Sequence, residues 1–227
     1  QVFGRSLTGA WRAWIDWERA FQQKNLEAIR QHPTTRYRDV STRALGSVSR
    51  AYYDPKAGTL YAAFNYPGVV AHVGAIDVAT GALERLVDIK GPVIYTVTSL
   101  AYDPEAQHLF YTTDNGSHRD LVRLDPRTHE TELLMKDARI GDLAFNRADR
   151  TLWGIRHLNG IVSLVRIAPP YKEWTRVYTW PYGTVVYDLD VSPDGARVSA
   201  SFGEISGQQN VAIVAATSAI SVSRPWN

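Results

Sequence analysis

The chain has 227 residues, of which 44% are hydrophobic and 21% are charged, the composition of an ordinary globular protein. Its formal net charge of +2 gives no electrostatic reason to expect a nucleic-acid partner. It contains no cysteine, which excludes disulfides and thiolate chemistry, and no stretch approaches the roughly 18 consecutive apolar residues of a membrane-spanning helix.

Residues 1–32 are predicted to form one helix. Ser6 or Thr8 can cap its first turn, and tryptophans such as Trp11 and Trp14 recur at helical spacing until Pro33 ends the pattern. We interpret these tryptophans as core residues, which pack on the rest of this chain or on an upstream domain. Because the chain is helical almost from its first residue and has no signal-peptide pattern, we expect it to be part of a longer protein.

A repeat follows the predicted linker at 33–46. The stretches AYYDPKAGTLYAAFN, LAYDPEAQHLFYTTD, LAFNRADRTLWGIRH and LDVSPDGARVSASFG each read as a strand, a polar turn and a second strand. Their turns begin at Asp54, Asp103, Asn146 and Ser192, so the pattern recurs every 43 to 49 residues. An Asp, Asn or Ser at this position can accept hydrogen bonds from the backbone of its own turn, and a following proline presets the backbone.

A second hairpin lies between successive copies, so that each unit has four strands. Four-stranded units of this length are typical of β-propeller blades. The predicted fold is therefore all-β, with about four four-stranded blades over 47–214 in an incomplete or open ring, one N-terminal α-helix, and an irregular tail at 215–227. A β-sandwich in which the similarity is accidental is the alternative.

Two sets of loops differ in composition. The turns within the repeated stretches contain ordinary turn residues, whereas the loops between the second and third strands and between blades also contain Tyr, His and Arg. In a propeller these richer loops converge at one mouth of the central channel. We predict a binding surface there, although each residue has an ordinary structural explanation, such as capping a loop. The candidates are Tyr66, His72, Tyr95, Asp114, His118, Arg119, Arg139, Asp142, His157, Tyr187 and Asp188.

Catalytic motifs are not found. The sequence contains no HExxH, Gly-x-Ser-x-Gly, Walker loop or GxGxxG motif, so we predict no catalytic residue, no cofactor and no metal site in this chain. His118 and His157 occupy equivalent loops of successive units, which leaves a metal or proton-transfer role open.

The quoted stretches AYYDPKAGTLYAAFN and LDVSPDGARVSAS resemble the blades of TolB-like propellers, whose inner hairpins carry Ser-Pro-Asp-Gly. Ser192 to Gly195 match this motif fully, whereas the first two turns are variants and Asn146-Arg147 departs from it. The segment VFGRSLTGAWRAWIDWERAFQQKNLEAIR resembles the last helix of a gluzincin-type metallopeptidase-like domain. The resemblance implies a bacterial periplasmic or envelope protein whose zinc site, if present, lies upstream.

The predicted function is a non-catalytic binding or scaffold module. Its mouth loops would bind a protein, peptide or glycan, and its helix would contact the upstream domain, with neither a nucleic-acid partner nor a membrane span. One alternative is a propeller-type hydrolase or lactonase with a divalent metal at the mouth, to which Asp114, Asn115, Asn159 and Asp188 could contribute. Another is a purely structural propeller that supports an upstream catalytic domain.

Overall fold

A computed structural model describes residues 4–41, 47–48, 50–90 and 99–216. The chain divides into two compact units, Gln1–Asp39 and Val40–Asn227. In the part of the chain that is described, no helix has the length and apolar character needed to cross a membrane.

The first unit contains one helix, α1, at Leu7–Arg30. The Ser6 hydroxyl caps it by accepting a hydrogen bond of 3.1 Å from the Gly9 amide. Ser6 is therefore the cap, of the two residues that the sequence offered. Trp11, Trp14 and Trp17 are 58%, 50% and 60% exposed, so within this unit they are not core residues. That they pack on an upstream domain stays a prediction.

The second unit consists of sixteen strands in the described residues. They are β1 (Ser47–Val48), β2 (Tyr52–Asp54), β3 (Thr59–Asn65), β4 (His72–Asp77), β5 (Leu83–Asp88), β6 (Leu100–Asp103), β7 (His108–Asp114), β8 (Arg119–Leu124), β9 (Thr131–Met135), β10 (Ile140–Phe145), β11 (Leu152–Leu158), β12 (Ile161–Ile167), β13 (Thr175–Thr179), β14 (Val185–Val191), β15 (Arg197–Gly203) and β16 (Gln209–Ala215).

The strands form four antiparallel sheets in chain order, which confirms the predicted four-blade propeller. Blade 1 contains β1–β5, with β1 and β2 both paired with β3 as one interrupted edge strand. Blades 2 and 3 contain β6–β9 and β10–β13. Blade 4 has three strands in the described residues, β14–β16, rather than the predicted four. Most of the predicted tail, 217–227, lies outside the described residues.

Apolar clusters join consecutive blades. Tyr61 of blade 1 packs in one cluster with Tyr102 of blade 2, and similar clusters join blade 2 to blade 3 and blade 3 to blade 4. The remaining cluster lies within blade 1, where Val40, placed in the linker by the sequence, packs against a core containing Phe64. Within the described ranges no apolar cluster joins blade 4 to blade 1, but the Arg50 guanidinium of blade 1 donates to the Leu189 carbonyl of blade 4 at 2.9 Å.

The repeated turns fasten each blade to the next. Asp54 is 3% exposed, and its carboxylate accepts hydrogen bonds from the Tyr102 hydroxyl (2.9 Å), the Gln107 amide (2.8 Å) and the Lys56 backbone N–H (2.8 Å). Burial acts to raise the pKa of Asp54, but these hydrogen bonds outweigh it, so the pKa lies below its ordinary value. Two of the three donors belong to blade 2, so the turn of blade 1 is held by its neighbour.

The next two turns are fastened in the same way. Asp103 is buried and pairs with the guanidinium of Arg150 from blade 3 at 2.5 Å. Asn146 is buried too, and its side-chain amide donates to the carbonyl of Gly195 in blade 4 at 3.0 Å. The first three repeated turn residues therefore bond the blade that follows them in the chain, whereas Ser192 bonds Asp194 and Arg197 of its own turn.

Asp54→Ala should destabilise the protein by about 2–4 kcal/mol, because it leaves buried donors of blade 2 without an acceptor. Urea unfolding measures the loss. Asp77→Ala is the matched control, since Asp77 caps its own turn through Thr80 and is exposed. Equal losses for the two variants would contradict the fastening role of Asp54.

Gly195→Ala should cost about 2–4 kcal/mol in the same assay, because a Cβ there would lie 2.3 Å from Asn146 Oδ1 and 2.5 Å from Ala148 Cβ. Gly58 ends the corresponding turn of blade 1, also with a positive φ, and a Cβ there would meet nothing within 4 Å. Gly58→Ala should therefore cost only about 1 kcal/mol, the backbone contribution alone. If Gly195→Ala is no worse than Gly58→Ala, blade 4 does not pack on blade 3 as described.

Candidate functional site

The first strand of three blades carries a one-residue irregularity at the same place. The register of β10 against β11 shifts between Ile140 and Leu143, and that of β14 against β15 shifts between Tyr187 and Asp190. The pairing of blade 1 with β3 shifts by one residue between β1 and β2. Bulges of this kind turn a side chain out of the regular ladder, and they are common beside functional sites.

In these three blades the irregularity falls four residues before the repeated turn residue, and blade 2 has an equivalent position in the sequence. It is occupied by Arg50, Ser99, Asp142 and Asp188 in blades 1 to 4. Strand β10 lies against both β6 and β14, as expected for the strands nearest the propeller axis. Asp142 lies close enough to Arg50 and Asp188 for their charges to act on its pKa, so three of the four positions are brought together although the chain separates them by more than forty residues each.

Asp142 is the most perturbed group at the channel. Burial raises its pKa from the ordinary 3.8 to about 6, Asp188 adds to the shift, and Arg50 and Arg119 oppose it. Its side chain is half-buried. Asp142 is consequently half-protonated near pH 6, at a position facing charges from other blades.

Cationic side chains border these carboxylates. The backbone N–H of Arg139 donates to the carbonyl of Arg119 at 3.0 Å, and the carbonyl of Arg139 accepts from the backbone N–H of His157 at 2.9 Å. Arg139 thereby bridges blades 2 and 3, with a left-handed φ of 57°. Its guanidinium contacts His118 Nε2, and the Arg119 guanidinium donates to the Thr112 hydroxyl at 2.8 Å. The two guanidinium groups are thus held by the fold.

His157 lies above a glycine. A Cβ at Gly141 would be 3.2 Å from His157 Nε2, so the small residue leaves room for the imidazole. Burial lowers the pKa of His157, and the positive charge of Arg119 lowers it further. His157 is therefore mainly neutral at pH 7 and can donate or accept a hydrogen bond.

We call the converging predicted residues the mouth cluster. Its members are His118, Arg119, Arg139, Asp142, His157 and Asp188. Arg50 is a further residue of this region that loop composition did not single out; its guanidinium donates to the carbonyl of Leu189 at 2.9 Å and pairs with Asp190 at 3.2 Å. When the blades are aligned on their repeated turn residues, Arg50 occupies the same position as Asp142 and Asp188. This alignment could have identified Arg50 from the sequence.

Other predicted residues lie elsewhere. His72 is 2% exposed and its Nδ1 is 2.9 Å from the Val70 carbonyl, with the rings of Phe64 and Tyr66 beside it, so its role is structural. The prediction of His72 as a surface binding residue is therefore wrong.

The remaining candidates have separate positions. Asp114 accepts from the Gly116 amide at 2.7 Å and lines a cleft of about 970 Å³ between blades 1 and 2. Tyr187 is half-buried on β14, opposite Ser201. Tyr95 lies outside the described residues.

One of the residues considered for a metal site is engaged in its own loop. Asn115 donates its amide to Asp120 at 2.9 Å and to Asp137 at 2.8 Å, so it organises its own loop. Across the described ranges, no group of three or more His, Cys, Asp or Glu side chains is arranged to hold a metal ion.

The comparisons with known proteins concern the fold. No family model matches the chain, and no curated protein matches it either. Among solved structures, TolB from Acinetobacter baumannii superimposes with a TM-score of 0.63 at 14% identity, covering 78% of this chain and 43% of TolB. The fold is that of a TolB-like β-propeller.

Propellers with other functions are also similar. A gluconolactonase from Xanthomonas campestris has a TM-score of 0.56 at 16% identity, covering 79% of this chain and 62% of the enzyme. The propeller domain of a trilobed protease from Pyrococcus furiosus, described as having an open velcro topology, has a TM-score of 0.52 at 9% identity, with 79% and 57% covered. This chain spans less than two thirds of each of these proteins. Because unrelated functions share the fold, function must be argued from the site.

Asp142→Asn should stabilise the protein by about 1 kcal/mol at pH 7.5, because the partial exposure of the side chain reduces the full effect of the pKa shift. A raised pKa means that the folded state holds the proton more tightly, so ionisation destabilises it progressively between pH about 4 and 6. The advantage of the variant should therefore vanish near pH 3.5 and level off above pH 6. Urea unfolding across this range measures it.

The control for this variant is Asp194→Asn. The Ser192 hydroxyl and the Ala196 amide lower the pKa of Asp194, so it stabilises the fold above its unfolded pKa and this contribution is lost as the pH falls. Asp194→Asn should lose stability at pH 7.5. A stability for Asp142→Asn below that of the unmodified protein at pH 7.5 would show that Asp142 is favourably paired as an anion.

Proposed function

We propose that this propeller is a non-catalytic binding module whose partner docks at the mouth cluster. The observation that carries the proposal is the bridge at Arg139, whose backbone joins Arg119 of blade 2 to His157 of blade 3. Guanidinium and imidazole groups from two blades are thereby held in place before a partner arrives. Fixed side chains lose little conformational entropy on binding, so a rigid mouth favours affinity.

The partner class is a protein, peptide or glycan. Arg and aromatic side chains are enriched at binding surfaces, and the mouth loops carry both. The strained backbone supports the same proposal, because left-handed φ values at Arg139 (57°) and Asp188 (55°) occur at non-glycine residues of the mouth.

The wider setting is also part of the proposal. From the resemblance of the blades to TolB-like propellers, we place the module in the bacterial periplasm or cell envelope. From the resemblance of α1 to the last helix of a gluzincin-type domain, we place it in the C-terminal part of a metallopeptidase-like protein. The aromatic face of α1 would contact the upstream domain. Its exposed side chains, such as Trp14 and Phe21 at 50% and 52%, are the sort of surface that a partner covers.

A metal-dependent hydrolase or lactonase is the alternative, and it requires several oxygen or nitrogen ligands at one point. Elemental analysis of the purified protein distinguishes the two: stoichiometric calcium or zinc together with lactone hydrolysis would favour the enzyme.

A triple variant tests the binding proposal. Arg119→Gln, His157→Gln and Tyr187→Leu together should abolish the recovery of ligands from a random peptide display library and an oligosaccharide array, because they remove two side chains of the mouth cluster and the Tyr187 ring, which is next to Asp188 on β14. Thermal unfolding checks that the fold is retained. Lys56→Gln with Arg147→Gln is the control, since it removes two exposed cations from the repeated turns. If the triple variant recovers the same ligands as the unmodified protein, binding does not occur at the mouth.

A further inference from the structure

The cleft between blades 1 and 2 is a second concave site, separate from the mouth cluster. Its volume of about 970 Å³ is within the range of small-molecule sites, about 300–1,000 Å³. Strand β5 of blade 1, strands β7, β8 and β9 of blade 2 and the β7–β8 loop all contribute to its lining. No member of the mouth cluster lines the cleft, so a ligand here would use different side chains.

Strand register divides one wall of the cleft into an apolar row and a polar row. Tyr111 and Thr113 lie on the same face of β7, because side chains alternate along a strand. Val122 lies opposite Tyr111, and Leu133 lies opposite Val122, which makes the apolar row. Asp120 lies opposite Thr113 in the polar row. The two rows are two residues apart, about 7 Å, a span that one sugar ring covers.

Hydrogen bonds fix the polar side of the cleft. The Thr113 hydroxyl accepts from the backbone N–H of Lys90 at 3.0 Å, and the Lys90 carbonyl accepts from the backbone N–H of Asp114 at 2.9 Å. Oδ1 of Asp120 accepts from the side-chain amide of Asn115 at 2.9 Å. These bonds join blade 1 to blade 2 and hold the β7–β8 loop, so the polar groups are in place before a ligand binds.

The Tyr111 hydroxyl lacks a partner. Tyr111 is 3% exposed, and its hydroxyl makes no hydrogen bond with any described residue. Burial alone raises the pKa of Tyr111 to about 12, so the hydroxyl is neutral at pH 7 and can donate and accept. A buried polar group without a partner is costly to the folded state. Because Tyr111 lines the cleft, a ligand bound there can supply the missing hydrogen bond.

The carboxylates of the cleft have spare acceptor capacity. Oδ1 of Asp88, Asp114 and Asp120 is already bonded within the protein. Oδ2 of each accepts no hydrogen bond from the described residues. These oxygens can therefore accept hydrogen bonds from hydroxyl groups of a ligand.

The charges of the cleft favour a neutral ligand. The charged side chains that line it are Asp88, Lys90, Asp114 and Asp120. Arg85 pairs with Asp88 at 2.5 Å, and Arg119 lies opposite Asp114 in the β7–β8 ladder. An anion would meet the carboxylates, a cation would meet Lys90, and an apolar ligand would leave the buried hydroxyl unbonded. A sugar hydroxyl both donates and accepts, so it can bond the carboxylates, the ammonium group and the tyrosine alike.

We propose that this cleft binds a small neutral sugar of one or two rings. The sugar hydroxyls donate to Oδ2 of Asp114 and Asp120 and bond the Tyr111 hydroxyl, while the C–H face of the ring packs on Val122 and Leu133. The site is additional to the mouth cluster, and the proposal does not rest on the proposed function.

Saturation-transfer NMR of the full 227-residue chain tests the proposal, with glucose, N-acetylglucosamine, maltose and cellobiose as probes. At least one probe should bind with a millimolar Kd. Tyr111→Phe removes only the hydroxyl and should weaken this sugar about threefold to tenfold, the effect of one hydrogen bond. Tyr61→Phe is the matched control, because Tyr61 belongs to the same apolar cluster and does not line the cleft. It should leave the affinity unchanged.

A second pair of variants tests the apolar row. Leu133→Ser should weaken the same sugar, whereas Ile213→Ser, at a similarly exposed aliphatic residue of blade 4, should not. Glucuronate and glucosamine, the anionic and cationic counterparts of glucose, should bind no more tightly than glucose. Urea unfolding checks that each variant is folded.

Three results would overturn the proposal: no binding of any of the four sugars, binding that Tyr111→Phe leaves unchanged, or tighter binding of a charged counterpart than of glucose. The triple variant of the mouth should bind the sugar as the unmodified chain does. Failure of the sugar test therefore leaves the proposed function standing, and loss of the sugar in the triple variant would overturn the separation of the two sites.

Discussion

The fold depends on one recurring interaction, a buried polar turn residue that is bonded by the following blade. The Asp54 carboxylate accepts hydrogen bonds from the Tyr102 hydroxyl and the Gln107 amide. The Asp103 carboxylate pairs with the Arg150 guanidinium, and the Asn146 side-chain amide donates to the Gly195 carbonyl. An unpaired polar group in these positions would be costly to bury, so the bonds define how neighbouring sheets dock. Apolar clusters between the same blades supply most of the burial, while the polar bonds fix the register. The mouth lies at the opposite end of the same strands, so the way the blades dock also sets the positions of its side chains.

Much of the fold could be predicted from the sequence, because its repeat is a local signal. Turn chemistry at Asp54, Asp103, Asn146 and Ser192 marks each unit, and alternating strands follow from it. The partners of these turn residues could not be predicted, since each lies about one blade away in sequence and its side chain reaches back through tertiary packing. The exposure of the helix tryptophans was also missed, because periodicity shows that a face is apolar and not what covers it.

The site was predicted only in part. Loop composition found Arg119, Arg139 and His157, since charged and aromatic residues stand out among turn residues. The same criterion selected His72, which has an identical composition signal and is buried beside Phe64 and Tyr66. Arg50 was missed because it is on an irregular strand edge, and only alignment of the bulges places it at the axis.

The central claim is that the mouth of the propeller is the binding surface. Backbone amide chemical-shift mapping of the isotope-labelled protein, during titration with a peptide recovered from the display library, tests it most directly. The account predicts that the largest shifts occur at Arg119, Arg139, His157 and Asp188. Largest shifts at the repeated turns, around Asp54 and Asp103, would contradict it.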